Sequence, residues 1–191
     1  ICSSGVGYYG AREPSEDLDE ESSAGDDFLA RLCVDWEKAA AQAEVLGIRT
    51  VSARTGIVFG PDGGALEAMA RPFKFFVGGP LGSGKQVVSW IHLDDMARAL
   101  LFCAMNERLR GPVNLTAPEP VDNKTLSRIL GEVLHRPSAL PAPAFALRAL
   151  LGDGAEPILT GQRALPKKLL EAGFEFHYDD AKVAVRSALA D

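Results

Sequence analysis

"GPLGSGKQVVSWIHLDD" spans residues 79–95, and how it is read decides the class of fold. Gly79, Gly84 and Lys85 fill the G-x-x-x-x-G-K spacing of a phosphate-cradling loop, and the apolar run ending at Asp94 and Asp95 resembles the acidic strand end that accompanies one. Such a loop needs a helix directly after it, so that helix N-terminus and loop amides together hold the phosphates, and a Ser or Thr after the lysine to reach magnesium. Here Gln86 follows Lys85, and Val87, Val88, Trp90 and Ile91 continue as strand. The acidic pair also follows too soon to belong to a separate neighbouring strand. The stretch is therefore a glycine-rich turn feeding an extended segment, and Asp94 is expected to cap the helix after it.

Outward from this stretch the chain alternates. Upstream, Asp26 or Asp27 caps a helix whose apolar positions Phe28, Leu29, Leu32, Cys33, Trp36, Ala39, Ala40, Ala43 and Leu46 recur at i, i+3, i+4 spacing, with Gly47 as its stop. Trp36 and Trp90 both fall on apolar faces and are expected in the core. "IRTVSAR" (48–54) reads as a short buried strand. A Gly/Pro turn at 60–64 leads to a helix around 65–71, halted near Pro72. Downstream come a helix at 95–109 and a strand, "PVNLT", at 112–116. From about residue 120 the pattern changes to short helices (123–135, 144–151, 155–161, 166–172, 180–190) punctuated by Pro and Gly. Strand-helix-strand-helix-strand followed by a helical tail indicates an α/β domain with an appended helical lobe.

The composition is that of an ordinary globular chain: 191 residues, 47% hydrophobic and 24% charged. A net charge of −6 without a Lys/Arg block argues against nucleic acid or an anionic membrane surface as partner. No apolar run approaches the roughly 20 residues of a membrane span. Cys2, Cys33 and Cys103 form neither a disulfide framework nor a metal spacing, which favours a cytoplasmic setting. His135 and His177 lack ligand-forming neighbours in sequence, so no metal site is expected.

"SSGVGYYG" (3–10) places small hydroxyl residues at a strand end before an aromatic and a glycine. In open α/β sheets ligands sit beyond such strand ends. Taken with "DFLARLCVDWEKAA" (27–40), "RTGIVFGPDGGAL" (54–66), "PFKFFVGGPLGSGKQVVSWIHLDD" (72–95), "NLTAPEPVDN" (114–123) and "LLGDGAEPILTGQRALPKKLLEAGFEF" (150–176), it resembles the extended short-chain dehydrogenase/reductase proteins, in their atypical, nucleoside-diphosphate-sugar-epimerase-like branch. The resemblance covers essentially the whole chain. It implies a Rossmann-like, doubly wound parallel sheet with a mostly helical C-terminal substrate lobe. Residues 1–120 would carry the cofactor side, with substrate-cleft insertions at about 60–92, and residues 121–191 the helical domain. The family's glycine-rich dinucleotide fingerprint does not occur in these residues, so the sequence reads as the C-terminal two-thirds of such a protein, without the first βαβ half. The implied function is an NADP-linked oxidoreductase or epimerase-like protein acting on a small-molecule substrate. NADP(H) would belong to the full-length protein, and this stretch alone is expected not to bind it. Homo-oligomers are compatible with this reading.

Family enzymes pair a strand-end Ser/Thr with Tyr-x-x-x-Lys on the next helix, where the ammonium lowers the phenol pKa for proton exchange with substrate. Anchored on Glu37, an acidic position common in the wider family, the Lys slot holds Cys33 and the Tyr slot Leu29. Shifting by one residue gives Phe28/Leu32 or Ala30/Val34, and no frame yields the pair. The resemblance leaves Ser4, Tyr8 and Tyr9 as catalytic candidates, although counting back from "YG" puts Gly5 at the usual serine position. It implies Ser3, Ser4, Arg54, Thr55, Gly56 and Ile57 for the cofactor, the 54–57 turn acting through its backbone; Arg54 alternatively serves a structural ion pair. Lys85, Gln86 and His92 are the substrate-cleft candidates. The rival function is a non-catalytic NADP(H)-binding sensor or scaffold, which loss of the Tyr/Lys pair would favour.

Overall fold

The computed structural model describes residues 1–61 and 63–190; Asp62, within the turn expected at 60–64, and Asp191 lie outside them. Three parallel strands form the centre: β1 (Cys2–Gly5), β3 (Val51–Thr55) and β7 (Gly111–Leu115), in the order β1-β3-β7. A short strand β2 (Asp17–Leu18) follows β1. Helix α1 (Phe28–Ala41) then returns the chain to the start of β3. Its N-cap is Asp27, whose carboxylate accepts from the Ala30 amide, and a 3-10 turn over 42–46 closes on Gly47 in the left-handed conformation.

β3 is relayed into β4 (Ile57–Phe59) at Gly56. The Gly56 amide donates to Leu115 of β7, whereas the next amide, Ile57, donates to the carbonyl of Ser89. A Cβ at Gly56 would sit 2.6 Å from that carbonyl oxygen, so only glycine lets the chain exchange partners here. Helix α2 (Gly64–Lys74) follows. It runs two residues past Pro72 rather than stopping there. The extended segment after the glycine turn is two strands. β5 (Val87–Val88) pairs antiparallel with β8 (Val121–Asp122), and β6 (Trp90–His92) pairs parallel with β4. No helix follows Lys85, consistent with rejection of the phosphate loop.

α3 (Leu93–Met105) begins earlier than the expected 95–109, and its cap is His92, not Asp94: His92 Nδ1 accepts the Asp94 amide at 3.2 Å. The tail contains α4 (Asn123–Leu134), α5 (Ala144–Leu151), α6 (Glu156–Leu159), β9 (Arg163–Ala164), α7 (Lys167–Glu171) and α8 (Ala181–Ala188). β9 pairs parallel with β2, joining the tail to the N-terminal loop.

Helices cover both sheet faces, as a doubly wound fold requires. On one face Val51, Ala53, Val113 and Leu115 pack against Ala99 and Cys103 of α3 and Leu169 of α7. α1 covers the other. A second core, around Trp90, Phe59 and Leu66, draws Leu126 and Ile129 from α4 and Ala184 and Val185 from α8, so residues on both sides of position 120 share it. Trp90 is fully buried as expected; Trp36 is not, lying 48% exposed on the outer face of α1. The helix buries its narrow Ala30–Cys33 side instead, where the small side chains allow close approach. Among the described residues no helix is long and apolar enough to cross a membrane.

Candidate active site at the strand tips

Register builds the site. Ser4 pairs with Arg54, and Arg54 with Asn114, so the three side chains form one polar row across β1, β3 and β7 on the face beneath α1. All three are at least nine-tenths buried. Polar groups so placed must find partners. α1 supplies one: Glu37 Oε1 accepts from Ser4 Oγ and from Arg54 Nε, and Glu37 Oε2 accepts from Arg54 Nη2, each at 2.8 Å. The two-point geometry is that of a planar guanidinium fork on a carboxylate. Burial alone would lower the arginine's pKa, but the hydrogen bonds it donates to Glu37 and Tyr9 outweigh burial and raise it.

The 3-10 turn after β1, residues 6–9, adds two rings to this cation. Arg54 Nη1 donates to Tyr9 Oη at 3.1 Å, and the guanidinium carbon lies 3.3 Å from the centroid of the Tyr8 ring. Tyr9 is wholly buried; its hydroxyl also contacts Asn114 Oδ1 at 2.7 Å and the Asp19 carbonyl at 2.9 Å. Burial pushes its pKa up to about 12, against the opposing pull of Arg54. Tyr8 is half-buried, and no described residue hydrogen-bonds its hydroxyl. Glu20 closes the network beneath Asn114, accepting from the Asn114 amide at 3.0 Å and from the Lys168 amide, and burial raises its carboxyl pKa.

A strap from the tail, Gly161–Leu165, runs over the strand ends. Ser89 Oγ donates to the Gln162 carbonyl at 2.7 Å and accepts the Ala164 amide at 2.9 Å. Thr116 Oγ1 donates to the Ala164 carbonyl at 3.0 Å, Asn114 Nδ2 to the Leu165 carbonyl at 2.9 Å, and Gln162 Nε2 to Gly10 at 2.8 Å. At Gly161 a Cβ would lie 2.2 Å from the Val87 carbonyl oxygen. Sequence reading missed Asn114, Glu20, Ser89, Thr116 and Gln162. Their one local signal, a polar residue inside or just past an apolar strand, is shared by many residues without a role.

The structure brings Ser4, Tyr8, Tyr9 and Arg54 together. Thr55 stands beside Gly5 at the paired tips of β3 and β1, its hydroxyl donating to the Ala53 carbonyl at 3.3 Å, with Gly56 and half-buried Ile57 continuing the turn. Ser3 is exposed. Lys85, Gln86 and His92 serve different neighbours. Lys85 lines an open cavity of about 500 Å³ with Arg163, Asp122, Thr125 and Pro14. Gln86 points away from it, donating to the carbonyls of Leu81 and Ile158, each at 3.0 Å. His92 is buried and stacked on Tyr178 at 3.7 Å between ring centroids, with Nε2 unpartnered among the described residues. Tyr178 is anchored by its own amide, which donates to the fully buried Asp95 at 2.8 Å. In the slots of the family's Tyr/Lys pair stand Leu29, 38% exposed, and buried Cys33. Among the described residues no group of three His, Cys, Asp or Glu side chains is arranged for a metal.

Burial holds the His92 pKa below the ordinary 6.5, with Asp94 and Asp95 partly opposing. A depressed histidine pKa means that the unfolded chain takes the proton more readily, so this contribution to stability is complete above pH 6.5 and lost as pH falls below it. His92→Asn keeps a capping acceptor without the titration. Its stability, followed by urea unfolding from pH 7.5 to 5, is expected to fall less steeply on acidification than that of the wild type. Parallel profiles would contradict this.

Comparison with known proteins agrees with this architecture. The sequence profile of the NAD dependent epimerase/dehydratase family matches residues 1–115, and that of a domain of unknown function, DUF1731, matches residues 142–188. The chain is similar to the epimerase family protein SDR39U1 homolog of Arabidopsis thaliana, with 46% identity over 99% of this chain and 54% of that protein. Among solved structures, the human epimerase family protein SDR39U1 (isoform 2) with NADPH superposes with a TM-score of 0.88 at 32% identity, over 97% of this chain and 63% of that one. The nucleoside-diphosphate sugar epimerase of Corynebacterium glutamicum gives 0.80 at 34% identity, over 98% of this chain and 36% of that one. The chain thus spans little more than half the length of its plant relative. The parallel sheet, the profile match over more than half of the residues and these identities together show that the chain belongs to the NAD dependent epimerase/dehydratase family, in its extended short-chain dehydrogenase/reductase, nucleoside-diphosphate-sugar-epimerase-like branch.

Proposed function

We propose that this chain is the substrate-facing part of an NADP-linked oxidoreductase or epimerase-like enzyme acting on a small molecule, with the cofactor's nicotinamide end over the tips of β1 and β3. One observation carries the reading: Ser4, Tyr8 and Tyr9 gather around a single buried ion pair next to the carboxyl ends of parallel strands, where α/β folds bind ligands. The fit is favourable on this chain's side. Gly5 and Thr55 are paired and half-buried at the tips, and Gly56 brings the following turn against Ser89, so the junction itself is built of small residues. When bound, the cofactor would supply or take a hydride at a substrate carbon. Backbone groups of the 54–57 turn, with Ser3 and Ser4, hold its near end. The 191 residues alone contain no glycine-rich dinucleotide turn and are not expected to retain it.

Of the two phenols, Tyr9 is committed to three internal hydrogen-bond partners, leaving Tyr8 to exchange a proton with the substrate oxygen. The residues of the cleft, Lys85 foremost, orient the substrate from the side of the open cavity. Residues 1–120 carry the cofactor side and 121–191 the substrate lobe; three free cysteines favour a cytoplasmic location.

The full-length protein is expected to oxidise NADPH with one or more members of a carbonyl panel, and Tyr8→Phe to lower kcat on the order of 10²-fold, as loss of a general acid does. The second reading, a non-catalytic NADP(H)-binding sensor, is favoured by α1, which carries Lys38 but no tyrosine. Binding of NADPH without turnover, unchanged in Ser4→Ala, would establish the sensor instead.

A further inference from the structure

The function proposed above uses the hydroxyls of Ser4 and Tyr8 and leaves unexplained the buried charges between them. Glu37 and Arg54 have side chains only 12% and 3% exposed and form a bidentate pair in the interior. A pair of this kind is weak evidence for stability, because desolvating both charges cancels much of their attraction, and apolar residues of similar volume often serve as well. Its geometry is nonetheless specific. The carboxylate oxygen that receives Arg54 Nε also receives the Ser4 hydroxyl. The edge of the guanidinium reaches Tyr9 and its face covers Tyr8. All three hydroxyl-bearing candidates are therefore oriented by one rigid fork, although they reach it from β1 and from the turn after it.

We infer that Glu37 and Arg54 are positioning residues: the ion pair fixes the Tyr8 ring as proton donor to the substrate oxygen and fixes Ser4 as a hydrogen-bond acceptor beside it. The inference rests on the enzyme reading. With its proton held by Glu37, Ser4 Oγ offers lone pairs to a substrate hydroxyl rather than a proton to a carbonyl. Tyr8 has a hydroxyl that no described residue engages, on a ring that cannot swing without leaving the cation. In the reduction, the carbonyl carbon takes hydride from the bound nicotinamide coenzyme. The C=O π pair moves to oxygen, which takes the Tyr8 proton. The products are an alcohol, the oxidised coenzyme and a phenolate that water reprotonates. Lysine at position 54 would keep the charge but could not grip both carboxylate oxygens while lying flat on a ring.

The test is the double variant Glu37→Gln/Arg54→Met in the full-length protein, which removes both charges and so leaves neither buried alone. It is expected to fold with a Tm within a few degrees of wild type. Its kcat for NADPH-dependent carbonyl reduction is expected to fall on the order of 10²-fold through misplacement of the donor, with KM values within about threefold. Adding Tyr8→Phe to it should cost little more, since residues that act as a unit are not additive. A folded double variant turning over at the wild-type rate overturns the inference, as do additive losses. Should the double variant fail to fold, Arg54→Lys carries the same kcat-against-KM comparison. Wild-type turnover that survives Tyr8→Phe overturns this inference and leaves the enzyme reading standing. NADPH binding with no turnover in the wild type overturns both.

Discussion

Arg54→Ala is expected to destabilise the protein by about 3–5 kcal/mol, the range for breaking a buried ion pair from one side. The loss comes less from missing attraction than from what remains. Glu37 would keep its charge without the two guanidinium bonds, holding only the Ser4 hydroxyl, and Tyr9 Oη and the face of the Tyr8 ring would lose their donor. For a chain of this size that corresponds to a fall in Tm of roughly 6–20 °C. The double variant Glu37→Gln/Arg54→Met should recover most of it. Urea unfolding of both variants measures the difference, and a single-variant loss under about 1 kcal/mol would contradict the burial argument. Because the pair is shielded from solvent, the effect should change little with added salt.

Trp90→Ala is expected to cost about 3–5 kcal/mol as well, by a different route: a large cavity in a close-packed interior. Trp90 is fully buried, stacked on Phe59 with 5.1 Å between centroids and 5° between planes, and its Nε1 donates to the Glu119 carbonyl at 3.0 Å. The cluster around it joins α2, α4 and α8, so the cavity would loosen the tail and the cleft insertions together. Trp36→Ala, on the exposed face of α1, is expected to change stability by less than about 1 kcal/mol. Equal losses for the two tryptophans, measured by thermal unfolding, would refute the difference in burial.

The two tryptophans also show where sequence reading stopped. Both lie on apolar stripes, and the stripe around Trp36 has the spacing of a core-facing helix. Periodicity says that a helix has an apolar side; it does not say which side finds a partner. α1 turns Ala30 and Cys33 to the sheet because a close approach is what lets Glu37 reach Arg54. Helix ends set by side-chain caps or glycine were readable, as at Asp27 and Gly47. The start of α3 was not: His92 caps it with a ring nitrogen, and two aspartates nearby gave the stronger local signal. The helix expected at 155–161 shrinks to Glu156–Leu159 because Gly161–Leu165 is drawn out straight over the strand tips.

By itself the sequence determined the α/β class, the order of strand and helix around the central parallel sheet, the absence of a phosphate loop and the family resemblance. These depend on spacing within a few turns, on caps and on glycine placement, all local to the chain. Only the tertiary structure decided that Ser4, Arg54 and Asn114 form one row, that Glu37 locks Arg54 against Tyr8, and that a strap from the tail closes the tips. Those relations follow from strand register and burial. Residues far apart in the chain acquire partners there only because desolvated polar groups must be satisfied by whatever the fold brings alongside.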